Sequence, residues 1–277
     1  MSDTVLPLSA PGRAIGTLLR ARRLKRRLSQ LDLALSAEVS QRHLSCVESG
    51  RAAPSRDMVL RLAEQLEAPL RDQNILLIAA GFAPVYSERP LDHPALAAAK
   101  EVVETLLRAL APNPAYAVDR HWHLVASNDS IAPFLAGVTE RSLLEPPVNL
   151  LRLALHPGGL APATANLPVW RAHVLERLRR QADITGDPFL SRLLTELAAY
   201  GPETPAGHAP PSADVIAVPL EMDTAEGRVS FISTTTVFGT PAEVTLSELA
   251  IEAFYPADPA SAERLRRLQA ASESTAL

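Results

Sequence analysis

The sequence is poor in cysteine, lysine and aromatic residues, and each shortage excludes something. Cys46 is the only cysteine among 277 residues, so no disulfide forms within the chain and no multi-cysteine zinc site exists. Lys25 and Lys100 are the only lysines; every other basic residue is arginine. Aromatics are 4% of the residues, and 12 glycines stand against 24 prolines, which argues against Gly-rich β repeats and collagen. The longest apolar stretch, Asn74 to Tyr86, is interrupted and shorter than the roughly 20 residues that span a bilayer. The opening MSDTVLPLSAPGRAIG has an early acid and no basic region before a long apolar core, so it does not read as a secretory signal. The expected location is cytoplasmic, with Cys46 reduced. No nucleophile elbow, P-loop or H-E-x-x-H motif occurs, and the Gly158-Gly159 pair is too short for a phosphate cradle, so an enzyme is not expected.

What is present can fold. Hydrophobic residues are 47% and charged residues 21%, and the length suits one large domain or two ordinary ones. The net charge of −4 taken whole argues against a nucleic-acid partner. Split along the chain, it says the opposite. Residues 1–80 carry 12 Arg and Lys against 8 Asp and Glu, a net of +4, which leaves −8 for the remainder. Opposite charge on two halves points to two domains, one of them facing a polyanion.

Residues 1–11 read as a loose arm, and residues 12–80 as five short helices. Ile15, Leu18 and Leu19 share one face of the first, and basic residues from Arg20 to Arg27 crowd its later turns, where they are either solvated or make at most one or two contacts with a polyanion's backbone. Ser29 caps the second helix with Asp32 behind it, and Ser40 caps the third after a break at 36–39. Leu44 and Val47 should point inward, and Gly50 should stop that helix. Pro54-Ser55 opens the fourth, and a fifth runs from Leu70 to Ala80. The second and third have helix-turn-helix proportions.

The stretch from Ser29 to Leu66 resembles the DNA-binding domain of the Cro/cI (XRE) family. Gln30, Ala34, Val39, Leu44, Glu48, Gly50, Pro54-Ser55 and Leu62-Ala63 fall in that family's register. The turn departs from the pattern, because Ala37-Glu38 stands where the family often has glycine. The resemblance implies an all-α, lambda-repressor-like domain over residues 12–81. Ser40, Gln41 and Arg42 then head the reading helix, with Ser45 and Cys46 one turn on. Gln pairs with adenine and Arg with guanine in the major groove. By resemblance Gln30 contacts backbone or base, while Arg51 and Arg56 approach phosphates. Arg56 has a reason of its own, on the first turn of a helix. Glu48 is expected as an intradomain partner, and Cys46 as a small residue at the reading face rather than a redox sensor.

Residues 82–112 read as a linker that becomes an interdomain helix, Ala95 to Leu110. Residues 113–270 then form a second domain. Two short strands turn at Asp119-Arg120, with Trp122 in the second. Helices follow at 128–135, 149–155, 169–181 and 188–200, then a gap at 201–212. Strands at 215–220, 228–238 and 246–254 and a helix at 260–270 complete an antiparallel sheet with helices on one face.

This half resembles the MmyB-like regulators, in the stretches NPAYAVDRHWHLVASN, NLLRLALHPGGLAP, GDPFLSRLLTEL and FISTTTVFGTPAEVTLSELAIEAFYPAD. The resemblance implies an α+β, PAS-like domain that holds a fatty-acid-like ligand. Trp122, Leu124, Leu150, Trp170, Val174, Phe231 and Phe238 are candidates to line its pocket, or to fill a core in its place. Asn149, Arg152 and Arg171 are candidates to hold a carboxylate. His121 and His123 stand at i, i+2 with no third ligand of convincing spacing, so no metal is expected.

The expectation is a homodimeric regulator that binds a double-stranded DNA operator and senses a small apolar molecule, with no membrane partner. The alternative is a DNA-binding dimer whose second domain serves protein–protein contact without a small ligand.

Overall fold

The computed structural model describes residues 11–201 and 217–275. Residues 1–10 of the expected arm, nearly all of the expected gap (202–212) and residues 215–216 of an expected strand lie outside them, while Pro11, expected in the arm, opens a helix. In chain order the α-helices are α1 Pro11–Lys25, α2 Gln30–Ser36, α3 Gln41–Glu48, α4 Arg56–Gln65, α5 Leu70–Ala79, α6 Ala97–Ala109, α7 Ala132–Leu135, α8 Leu150–Leu155, α9 Leu167–Thr185, α10 Pro188–Ala198, α11 Val244–Ser247 and α12 Pro259–Thr275. The strands are β1 Ala115–Val118, β2 Leu124–Ser127, β3 Leu220–Thr224, β4 Gly227–Val237 and β5 Ala250–Pro256. They fall into two compact units, residues 1–90 with 240–247, and residues 91–239 with 248–277. The expected linker is thus divided between the two.

The helical unit starts and stops its helices with repeated local devices. Ser29, Ser40 and Ser55 are N-caps whose hydroxyls accept the backbone N–H three residues on, and Ser29 with Asp32 closes a capping box. Each of the five helices ends on a residue of positive φ: Arg27, Glu38, Gly50, Glu67 and Gly81. The following N–H reaches back five residues in every case, as from Leu28 to Arg23 O and from Val39 to Ala34 O. The glycine missing from the turn is therefore replaced by strain, with Glu38 left-handed at φ 55. The core is closed to solvent: Ile15, Leu19, Leu33, Leu44, Val47, Val59, Leu62, Ala63, Leu76 and Leu77 have almost no exposure. Helix α1 lies so close to α3 that a Cβ on Gly16 would come 2.4 Å from Val47 O.

The second unit holds a five-stranded antiparallel sheet in the order β2-β1-β5-β4-β3. The expected single helical face is corrected. Alternation along β1 and β5 sends Ala115, Ala117, Ile251 and Ala253 to a cluster with Val103 and Leu107 of α6, while Val118 and Phe254 join a cluster with α8, α9 and α10. Three local expectations are also corrected. Trp122 sits in the β1–β2 turn at φ 67 rather than in a strand. Residues 217–219 precede β3, and 246–247 belong to α11 because Val244 and the Glu243 cap of Leu246 N start a helical turn there.

Candidate functional site

Helix α3 is held from below by a buried ion pair. Arg23 of α1 donates through Nε and Nη2 to both carboxylate oxygens of Glu48, at 2.7 and 2.8 Å, and Gln30 Nε2 adds a third bond at 2.8 Å. Arg23 and Glu48 are 6% and 8% exposed. A carboxylate at the end of α3 opposes the helix dipole, so the guanidinium is what makes it tolerable there. Burial pushes the Glu48 carboxyl up, but hydrogen bonds from Arg23 and Gln30 and the charges of Arg23 and Arg20 together hold it below its usual range.

Over this mount α3 turns Leu44 and Val47 inward and leaves Gln41, Arg42 and His43 exposed. Ser45 and Cys46 are half-buried at the edge of that face. Ser40 caps α3, with its Oγ accepting His43 N at 3.1 Å. Arg51 is exposed and leans on Ser49 Oγ at 2.8 Å, and Arg56 is exposed on the first turn of α4. Gln30 is half-buried, its amide engaged with Glu48. The basic run at the end of α1 and just beyond it is partly spent inside the unit, since Arg22 pairs with Asp72 and Arg26 with Glu67 as well as Arg23 with Glu48. His43 was passed over in the sequence; its place in the first turn beside Arg42, without an apolar role, was the available signal.

The second unit contains a cavity of about 270 Å³ between the sheet and its helices. Of the residues expected to line a pocket or fill a core, Leu124, Leu150, Trp170 and Phe231 lie on its wall, with Tyr116, Phe134, Leu153, Met222 and Phe254. The lining is almost wholly aliphatic and aromatic; among the described residues on it, Tyr116 and Ser127 carry the hydroxyls. Tyr116 Oη donates to Glu252 Oε2 at 2.9 Å, and burial followed by the Glu252 charge raises its pKa well above the ordinary value.

The other candidates are employed elsewhere. Trp122 Nε1 donates to Gln181 at 2.8 Å, with Arg177 stacked over its ring. Val174 packs in the core beside Leu178, and Phe238 lies in the α6 cluster on the opposite face. Asn149 caps α8 and donates to His121 O. Arg152 makes a two-pronged bond to Glu196 at 2.7 and 2.8 Å. Arg171 serves the carbonyls Ala198 O and Gly201 O at the end of α10. Helix ends and packed carboxylates inside the unit therefore claim the three groups expected to hold a carboxylate.

The turn at 119–123 adds a third group to the two histidines. Asp119, His121 and His123 place one ligand atom each within 4.8 Å of one another.

Comparison with known proteins follows the same division. Residues 99–268 match the family described as MmyB-like transcription regulator ligand binding domain, and residues 19–73 match a helix-turn-helix family. No curated protein matches the chain. Among solved structures, the restriction-modification controller protein C.AhdI from Aeromonas hydrophila is 29% identical, with 24% of this chain and 98% of that one covered and a TM-score of 0.23. The clp gene regulator ClgR from Corynebacterium glutamicum is 26% identical, with 38% and 99% covered and a TM-score of 0.24. No helix among the described residues is long and apolar enough to cross a membrane.

Proposed function

The chain belongs to the MmyB-like transcription regulators, DNA-binding helix-turn-helix proteins with a ligand-binding domain, and from that premise we propose how this one reads DNA and what it senses. Helix α3 enters the major groove, Gln41 and Arg42 meet base edges, and Arg51 and Arg56 hold phosphates. The protein acts as a homodimer on a two-fold operator, with half-sites about one helical turn apart. The molecule sensed is small and apolar, with a fatty-acid-like chain in the cavity. The observation that carries the reading is an outward polar face of α3 held on a buried core, in the same chain as an apolar cavity of about 270 Å³.

Ligand and DNA are coupled by population shift: the ligand favours one arrangement of the dimer and so changes its fit to the half-sites. A hundredfold change in operator affinity corresponds to about 2.8 kcal/mol of coupling. Mass spectrometry of natively purified protein should find a co-purified lipid, and operator titration with and without it should differ. A protein that carries no lipid and binds operator identically in either case refutes the sensor. Arg42→Ala should cost about 1–3 kcal/mol and relax specificity at one base position. Arg56→Ala should weaken all sequences alike and flatten the salt dependence. Equal losses on operator and random DNA for Arg42→Ala would remove it from the reading face.

A further inference from the structure

We propose that Asp119, His121 and His123 form a binding site for a divalent transition-metal ion of the zinc class, separate from the DNA-reading helix and from the lining of the apolar cavity. The three ligand atoms lie within 4.8 Å of one another, on five consecutive residues of the β1–β2 turn. Two imidazoles and one carboxylate are a borderline donor set, suited to zinc, cobalt or nickel rather than to calcium or magnesium.

The carboxylate is already set. Asp119 Oδ1 accepts the backbone N–H groups of His121 and His123, both at 2.8 Å, which fixes its rotamer. Oδ2 is left 3.2 Å from His123 Nδ1. Ligand atoms on a tetrahedral ion with bonds of about 2.0–2.1 Å are separated by roughly 3.3 Å, so this pair stands at a chelating distance. A metal ion between them takes the place of the imidazole proton.

His121 carries the outer partner such a ligand needs. Its Nε2 lies 2.9 Å from Asp187 Oδ2, so that coordination through Nδ1 would complete a carboxylate–histidine–metal relay. Phe189 walls the site, with its ring 4.5 Å from that of His121 and 5.4 Å from that of His123, centroid to centroid. The nearby cation, Arg120, faces Asp187 and Glu248, whose carboxylates offset its charge. Three protein ligands leave a fourth position for water or another donor.

The test uses the full chain, stripped with chelator and titrated with zinc alone by calorimetry and with cobalt by visible absorption. One ion per chain is expected, with cobalt bands typical of nitrogen and oxygen ligands. His121→Ala and His123→Ala should each weaken binding at least tenfold and change the cobalt spectrum. Asp187→Asn, which leaves all three ligands in place, should weaken it roughly tenfold. Zinc should also raise the thermal midpoint of the unmutated protein, a reading that does not depend on whether a variant folds. Absence of both zinc heat and a midpoint shift in the unmutated chain overturns the site. So does binding that persists unchanged in a folded His121→Ala/His123→Ala double variant.

Discussion

The two units spend their cores in opposite ways. In the helical unit the interior side chains are buried and α3 leaves a polar face exposed, while in the sheet unit the interior keeps a cavity of about 270 Å³. Both hold arginine–carboxylate pairs that frame the site without entering it. Arg23 with Glu48 stands under α3, and Arg152 with Glu196 ties α8 to α10 beside the cavity. A reading surface needs a rigid support at fixed height. A binding site needs walls that stay up when nothing fills the space between them.

The largest effect should come from the support. Glu48→Ala leaves Arg23 buried without its partner and should cost about 3–5 kcal/mol in urea unfolding. The pH dependence has a definite sign. The folded-state pKa of Glu48 is depressed, so its stabilisation is complete above the unfolded carboxylate's value of about 4.3 and is lost as pH falls through the lower folded value. Stability of the unmutated chain should fall over that acid range, and the Glu48→Ala variant should show less of the fall. Equal slopes for the two would show that the pair does not support α3.

Filling tests the contrast directly. Ala63→Leu enlarges a residue with no exposure in the helical core and should cost about 1–3 kcal/mol. Ala154→Leu enlarges a residue on the cavity wall and should cost less than about 1 kcal/mol while abolishing lipid retention. Equal losses for the two would mean that the cavity is not free space in solution.

The smallest effect concerns the turn before α3. Glu38 is left-handed at φ 55, a conformation that costs most side chains about 1–2 kcal/mol but not glycine. Glu38→Gly also loosens the unfolded chain, so the net gain should be about 0.5–1 kcal/mol, read as a raised thermal midpoint. No gain, or a loss, would show that the Glu38 side chain contributes contacts that offset its backbone strain.

Much of the helical unit was legible before folding, because its signals are local. Serine caps, a stopping glycine and apolar residues at helical spacing locate α2 to α5 within a residue or two. The exposed face of α3 follows from the same spacing. The sheet unit was legible as an element order and less so as a site. Trp122 alternates with Leu124 as a strand residue would, yet its left-handed backbone puts it in a turn. Phe238 has the composition of a pocket residue, but pairing of β4 with β5 carries it to the opposite face.

The chain's own order already held the charge asymmetry, which is a sum along it, and the helix-turn-helix with its caps, which rest on neighbours within a few residues. Tertiary structure alone decided which arginines are spent. Arg23 meets Glu48 across 25 residues and Arg152 meets Glu196 across 44. It also decided that Asp187 reaches His121 across 66 residues. These pairings depend on which helix faces break the surface once the core has closed, and no spacing along the chain records that.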